Sequence, residues 1–213
     1  LEAAVLVAPR SAEAYHRLGV AYQKVARHSE AMEAIEKEIS LEPSREDAAL
    51  KKLLAEMYFQ EGKTAETADQ MEEAKEYFRK ALEKEPEFIG ALLALGQVFQ
   101  KLDHFEGAEL AFKKALEIDP NSDAAHASLA RLNYALWQEG EKDSGLLVAV
   151  CLDLKRALKV NPKDVENNLF LADLYLELKN PRLALRVLEK VPHNKFPSPQ
   201  VWLKLLGIYM YLN

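Results

Sequence analysis

Cysteine is almost missing from this chain. Cys151 stands alone among 213 residues, which excludes an internal disulfide. Its neighbours in the run Val148-Ala149-Val150-Cys151-Leu152 read as core, so the thiol is expected to be a small buried hydrophobe rather than a nucleophile. Long apolar runs are also missing. The stretch from Gly145 to Leu152 is far short of the roughly 20 residues that cross a bilayer as a helix. The 5 histidines (His16, His28, His104, His126, His193) are scattered, which speaks against a zinc site built from clustered ligands. There is no phosphate-binding glycine loop, no zinc-protease histidine pair and no serine elbow. Carboxylates are common, but they alternate with lysines at helical spacing, as in Glu76 and Lys80, and read as solvated helix faces. No catalytic residue, cofactor or metal is therefore expected.

A sizeable excess of positive charge is missing from both halves, and one half is clearly acidic. Residues 1–106 carry 14 Lys+Arg and 21 Asp+Glu, a net of −7, whereas residues 107–213 carry 14 and 13, a net of +1. An acidic first half offers no continuous basic track, so a nucleic-acid backbone is not an expected partner.

What the chain does have is rhythm. Pro9, Pro43, Pro86, Pro120 and Pro162 are separated by 34, 43, 34 and 42 residues. Between the prolines a pattern of small and large residues recurs. It reads Leu92, Leu95-Gly96, Phe99, Ala108, Phe112 in one unit and Tyr15, Leu18-Gly19, Tyr22, Ala31, Ile35 in another. Lys51, Leu54-Ala55, Tyr58, Ala74, Phe78 and Asn168, Leu171-Ala172, Tyr175, Ala184, Leu188 follow it, and His126, Leu129-Ala130, Asn133, Val150, Leu154 follow it more loosely. The small residues allow helix backbones to approach and the large ones fill the space between them. Proline ends each unit because it lacks an N–H and clashes with the preceding turn.

This pattern and its 34-residue period resemble the tetratricopeptide repeat. The resemblance covers essentially the whole chain. It implies an all-α fold: a right-handed α-solenoid of helix-turn-helix repeats, with five full repeats at about 12–45, 48–88, 89–122, 123–164 and 165–198. Half repeats at 1–11 and 199–213 would flank them in a single domain. Pentatricopeptide repeats, which read RNA, are similar in shape, but the Leu-Gly pairs and the proline rhythm favour the tetratricopeptide reading. Two polar insertions, Lys63–Met71 and Gln138–Leu146, are expected as loops between the helices of their repeats. Asp103, Ser122 and Asp164 are candidate N-caps.

The resemblance also implies a protein-binding role, with a peptide or partner protein held on a concave groove lined by the first helix of each repeat. Helical spacing from the packed residues selects Phe59, Leu93, Gln97, Arg131, Tyr134, Leu169 and Asp173 as the peptide-binding set, with His16 at the equivalent place in the first repeat. This groove mixes apolar anchors with isolated polar groups, which suits a peptide with apolar side chains. The two-carboxylate clamp by which some relatives grip chaperone tails needs Lys, Asn, Asn, Lys and Arg, and that set is absent here. Two other roles remain open. The chain could be a targeting or regulatory arm of an enzyme, such as a glycosyltransferase or sulfotransferase, whose catalytic domain lies outside it. It could also self-assemble end to end through its terminal half repeats, since Trp202, Leu205, Leu206 and Tyr209 recur at helical spacing as an apolar stripe.

Overall fold

The structure, a computed structural model, describes residues 6–25, 27–140, 143–191 and 199–212. Every regular element among them is helical. In chain order these are α1 (Ala12–Lys24), α2 (His28–Leu41), α3 (Ala48–Thr67), α4 (Met71–Lys84), α5 (Ile89–Lys101), α6 (Phe105–Ile118), α7 (Asp123–Glu139), α8 (Ser144–Val160), α9 (Val165–Glu177), α10 (Pro181–Leu188) and α11 (Pro199–Leu212), with a 3-10 turn at Pro43–Arg45. They fall into two compact units, one ending at Ala108 and one beginning at Glu109. The helix expected at the start of the chain lies largely outside the described residues.

The second helices carry the most regular signal. Ala31 and Ile35, Ala74 and Phe78, Ala108 and Phe112, Val150 and Leu154, and Ala184 and Leu188 are all wholly buried. Three residues further along, Ala81, Ala115, Ala157 and Val191 are buried too. Steps of four and three residues keep the helical ones on one stripe of each helix, and Val191 follows the end of α10. In the first unit they pack on Leu54, Ala55, Tyr58, Leu95 and Val98. In the second they pack on Ala130, Leu171, Ala172 and Tyr175, with Leu205 and Ile208 from α11.

The turns within three helix pairs share one geometry. Asp69, Asp103 and Lys179 have positive φ, at 60°, 57° and 53°. The following N–H groups of Gln70, His104 and Asn180 donate back to the carbonyls of Ala65, Phe99 and Tyr175, at 2.9, 2.8 and 2.7 Å. This six-to-one closure satisfies carbonyls that the helix end would otherwise leave free. It corrects the expectation for Asp103, which ends α5 in the left-handed region rather than capping α6. Ser122 and Asp164 do cap: Ala125 N–H donates to Ser122 Oγ at 3.2 Å, and Asn167 N–H to Asp164 Oδ1 at 2.8 Å. Ser11, Asp47 and Asp143 do the same for α1, α3 and α8.

The expected insertion loops are mostly helix. Residues 63–67 continue α3, and Ala65 is buried. Ala74 lies nine residues after Ala65, as Ala31 lies nine after Tyr22 and Ala108 nine after Phe99. The inserted residues are therefore about two turns of helix, and Gly62 rather than Ala55 is the close-approach residue opposite α4. Seven added residues return a helix to within about 20° of its former facing, so α3 keeps one apolar stripe along its full length. In the later insertion α7 continues to Glu139 and α8 begins at Ser144, which leaves only a short connection.

Candidate functional site

The expected binding residues fall in both units. In the first unit Phe59 is half-buried. Its ring lies 5.7 Å from Phe78 and 5.0 Å from Phe88, so it bridges the packing of α3, α4 and the start of α5. Leu93 is half-buried on α5 and Gln97, one turn later, is exposed. His16, on α1, reaches a residue the sequence did not single out. Its Nδ1 lies 2.9 Å from Oε2 of Glu38, a carboxylate only 2% exposed. Arg45 Nη1 lies 3.3 Å from the other oxygen of Glu38 and its Nη2 2.9 Å from Glu13. Arg45, then Arg17, hold the Glu13 carboxyl below its usual range. Glu13, His16, Glu38 and Arg45 line a cleft of about 450 Å³. A buried carboxylate is kept only where donors satisfy it, and this one has two.

In the second unit, Arg131 and Tyr134 both reach from α7 to α9. Arg131 Nη2 donates to Glu166 Oε1 at 2.8 Å and to Asn167 Oδ1 at 2.9 Å. Tyr134 donates from its hydroxyl to Glu177 Oε1 at 2.8 Å. Its ring stacks on Trp137 at 5.6 Å and meets Phe170 edge-on at 5.1 Å. Burial, followed by the bond to Glu177, pushes the Tyr134 hydroxyl up to about 12. Leu169 packs against the core on α9, and Asp173 lies one turn further along, half-buried. The unit thus brings Arg131, Tyr134, Leu169 and Asp173 to neighbouring first helices. Sequence spacing selects these four residues. It missed the partners Glu166, Asn167 and Glu177, which lie 35, 36 and 43 residues away, and polar pairing at such separations leaves no periodic trace.

Cys151 is buried, and burial pushes its thiol up. That disfavours the thiolate, the form in which a cysteine reacts. Among the described residues no group of three His, Cys, Asp or Glu side chains is placed to hold a metal ion. None of the described helices is long and apolar enough to cross a membrane.

Antiparallel helix pairs, with the same small-and-large stripe recurring in each second helix, define a helical-repeat protein. The chain belongs to the tetratricopeptide repeat family. One family profile matches residues 67–132 and 153–206, and another matches residues 12–45. No curated protein matches at a significant level. Solved structures match in fold at low identity. The pilF protein of Pseudomonas aeruginosa is 16% identical, with a TM-score of 0.63, over 94% of this chain and 84% of its own. YrrB, described as a TPR protein with an unusual peptide-binding site, is 21% identical with a TM-score of 0.59, over 89% of each chain. The first TPR of Spaghetti (RPAP3), solved bound to an HSP90 peptide, is 17% identical with a TM-score of 0.54, over 60% of this chain and 95% of its own. At these identities the likeness shows the fold.

Proposed function

We propose that this chain is a non-catalytic scaffold that binds a peptide or partner protein through its first-helix faces. The observation that carries the reading is the polar and aromatic array on α7 and α9. There the Arg131–Glu166 pair is exposed, with Glu166 81% accessible on its side chain. An exposed pair of this kind contributes only about 0–1 kcal/mol. A ligand carboxylate can therefore replace Glu166 at little cost, with Tyr134 beside it as a large, rigid contact. Arg and Tyr are the side chains most often found to dominate binding. Phe59, Leu93 and Gln97 are the corresponding contacts on the first unit. YrrB and the Spaghetti domain, both described with peptides, support a peptide as the ligand class.

The test is a random-peptide display selection on the immobilised chain. Selected peptides are expected to lose affinity at least about tenfold, roughly 1.4 kcal/mol, on Arg131→Ala or Tyr134→Ala, with helical content unchanged. Selection of peptides indifferent to both substitutions would place recognition elsewhere. A longer parent sequence would show whether the scaffold serves an attached enzyme.

A second reading rests on α11, where Trp202, Leu206 and Met210 are 44%, 55% and 73% exposed while Leu205 and Ile208 face the core. In this reading a second copy of the chain covers that face. Light scattering at rising concentration should then show association that Trp202→Glu abolishes. A wild type that stays monomeric would remove this reading.

A further inference from the structure

The side of the second unit formed by second helices holds a different feature. Lys155 and Lys159 on α8, Arg186 on α10 and Lys190 just beyond it surround a cleft of about 330 Å³. Its floor is apolar, made by Leu158, Leu171, Leu183 and Val187, with Tyr175 at one wall. No acidic residue among the described ones lines it.

Three observations set this cleft apart from ordinary surface charge. First, none of its four cations enters an ion pair among the described residues. Lys155 Nζ lies 5.4 Å from the centre of the Tyr175 ring. Second, acids on the helices that line it, and Glu189 just after α10, have other partners. Asp153 accepts from Arg156 at 3.0 Å and faces His126 at 3.3 Å, Glu166 accepts from Arg131, Glu177 from Tyr134, and Glu189 from Tyr209 at 3.0 Å. Third, the cleft is distinct from the Arg131 site. Asn168, Leu171 and Tyr175 face it, whereas Glu166, Leu169 and Asp173 do not line it. At 3.6 residues per turn these two sets point about 160° apart on α9.

We propose that this cleft binds an acidic peptide segment in which an apolar side chain is flanked by carboxylates. The apolar side chain fills the floor, where it buries leucine and valine surface. The flanking carboxylates meet the lysines and Arg186 at the rim, within the roughly 8 Å over which charges act at physiological salt. Concavity favours a peptide over an anionic membrane, because a floor that includes buried Leu171 is out of reach of a flat surface.

The experiment uses fluorescence anisotropy with the labelled peptide DELDELDE, amidated at its C-terminus, and its neutral counterpart NQLNQLNQ. Saturable binding of the acidic peptide is expected, at least about tenfold tighter than the neutral one. Lys159→Glu with Arg186→Glu should weaken it at least about tenfold with an unchanged circular dichroism spectrum, and Lys155→Gln with Lys190→Gln should weaken it in the same direction. Lys113→Glu with Lys114→Glu, an equal change of charge on α6, should leave affinity within about twofold. Equal losses in the α6 control, equal affinity for both peptides, or no binding of DELDELDE would overturn the proposal. Cosedimentation with anionic phospholipid vesicles through the same four cations, without peptide binding, would also overturn it.

Discussion

Phe78→Ala is expected to destabilise the first unit by about 3–5 kcal/mol, the usual cost of emptying a buried phenylalanine site. Phe78 is wholly buried. Its ring lies against Phe59 on one side and so close to Gly62 that no β-carbon would fit between them. Ala74 and Ala81, a turn away on either side, are also wholly buried. They are too short to collapse into the space, so the cavity remains. Urea denaturation followed by circular dichroism reads the loss. Because each repeat is stabilised by its neighbours, the transition should also broaden or split, with the second unit unfolding near its original midpoint. A loss below about 1 kcal/mol would show that α3 and α4 do not pack as described.

The second large effect comes from the other side of the same contact. A β-carbon at Gly62 would stand 2.5 Å from Phe78 Cε1, and one at Gly207 would meet nothing within 4 Å. Both glycines are helical. On propensity alone either one gains up to about 1 kcal/mol when replaced by alanine. Gly207→Ala should realise that gain. Gly62→Leu should instead cost about 1–3 kcal/mol or more through overpacking, since the Phe78 ring has no room to withdraw. Residues that share one contact are not additive, so Gly62→Ala should be partly rescued by Phe78→Leu. Thermal melts of these four variants decide it. Similar behaviour at the two glycines would mean that helix propensity, not packing, governs both.

The proline rhythm and the paired positions Ala31/Ile35, Ala74/Phe78 and Ala184/Leu188 made the second helices legible, because burial on one stripe leaves a periodic trace. The first helices were less legible. The insertion from Lys63 to Met71 is mostly polar and reads as a loop, yet a helix needs only one buried face, and Gly62 and Ala65 supply it. Their spacing to Ala74 was the available signal. Asp103 reads as an N-cap because its side-chain oxygens could accept first-turn N–H groups. The turn is so short that the preceding helix claims it instead. For the candidate site, spacing selected Arg131 and Tyr134 as groove residues but could not show that both bond to the next helix pair. The cationic cleft was invisible for a related reason: its four charges come from α8, α10 and the residue pair after it, and only folding brings them to one place.

Amide hydrogen exchange with and without a selected peptide tests the scaffold reading most directly. Binding on first-helix faces predicts slowed exchange in α7 and α9, centred on Arg131–Tyr134 and Leu169–Asp173, with α8 and α10 unchanged. Protection confined to second helices, or no protection by any selected peptide, would contradict it.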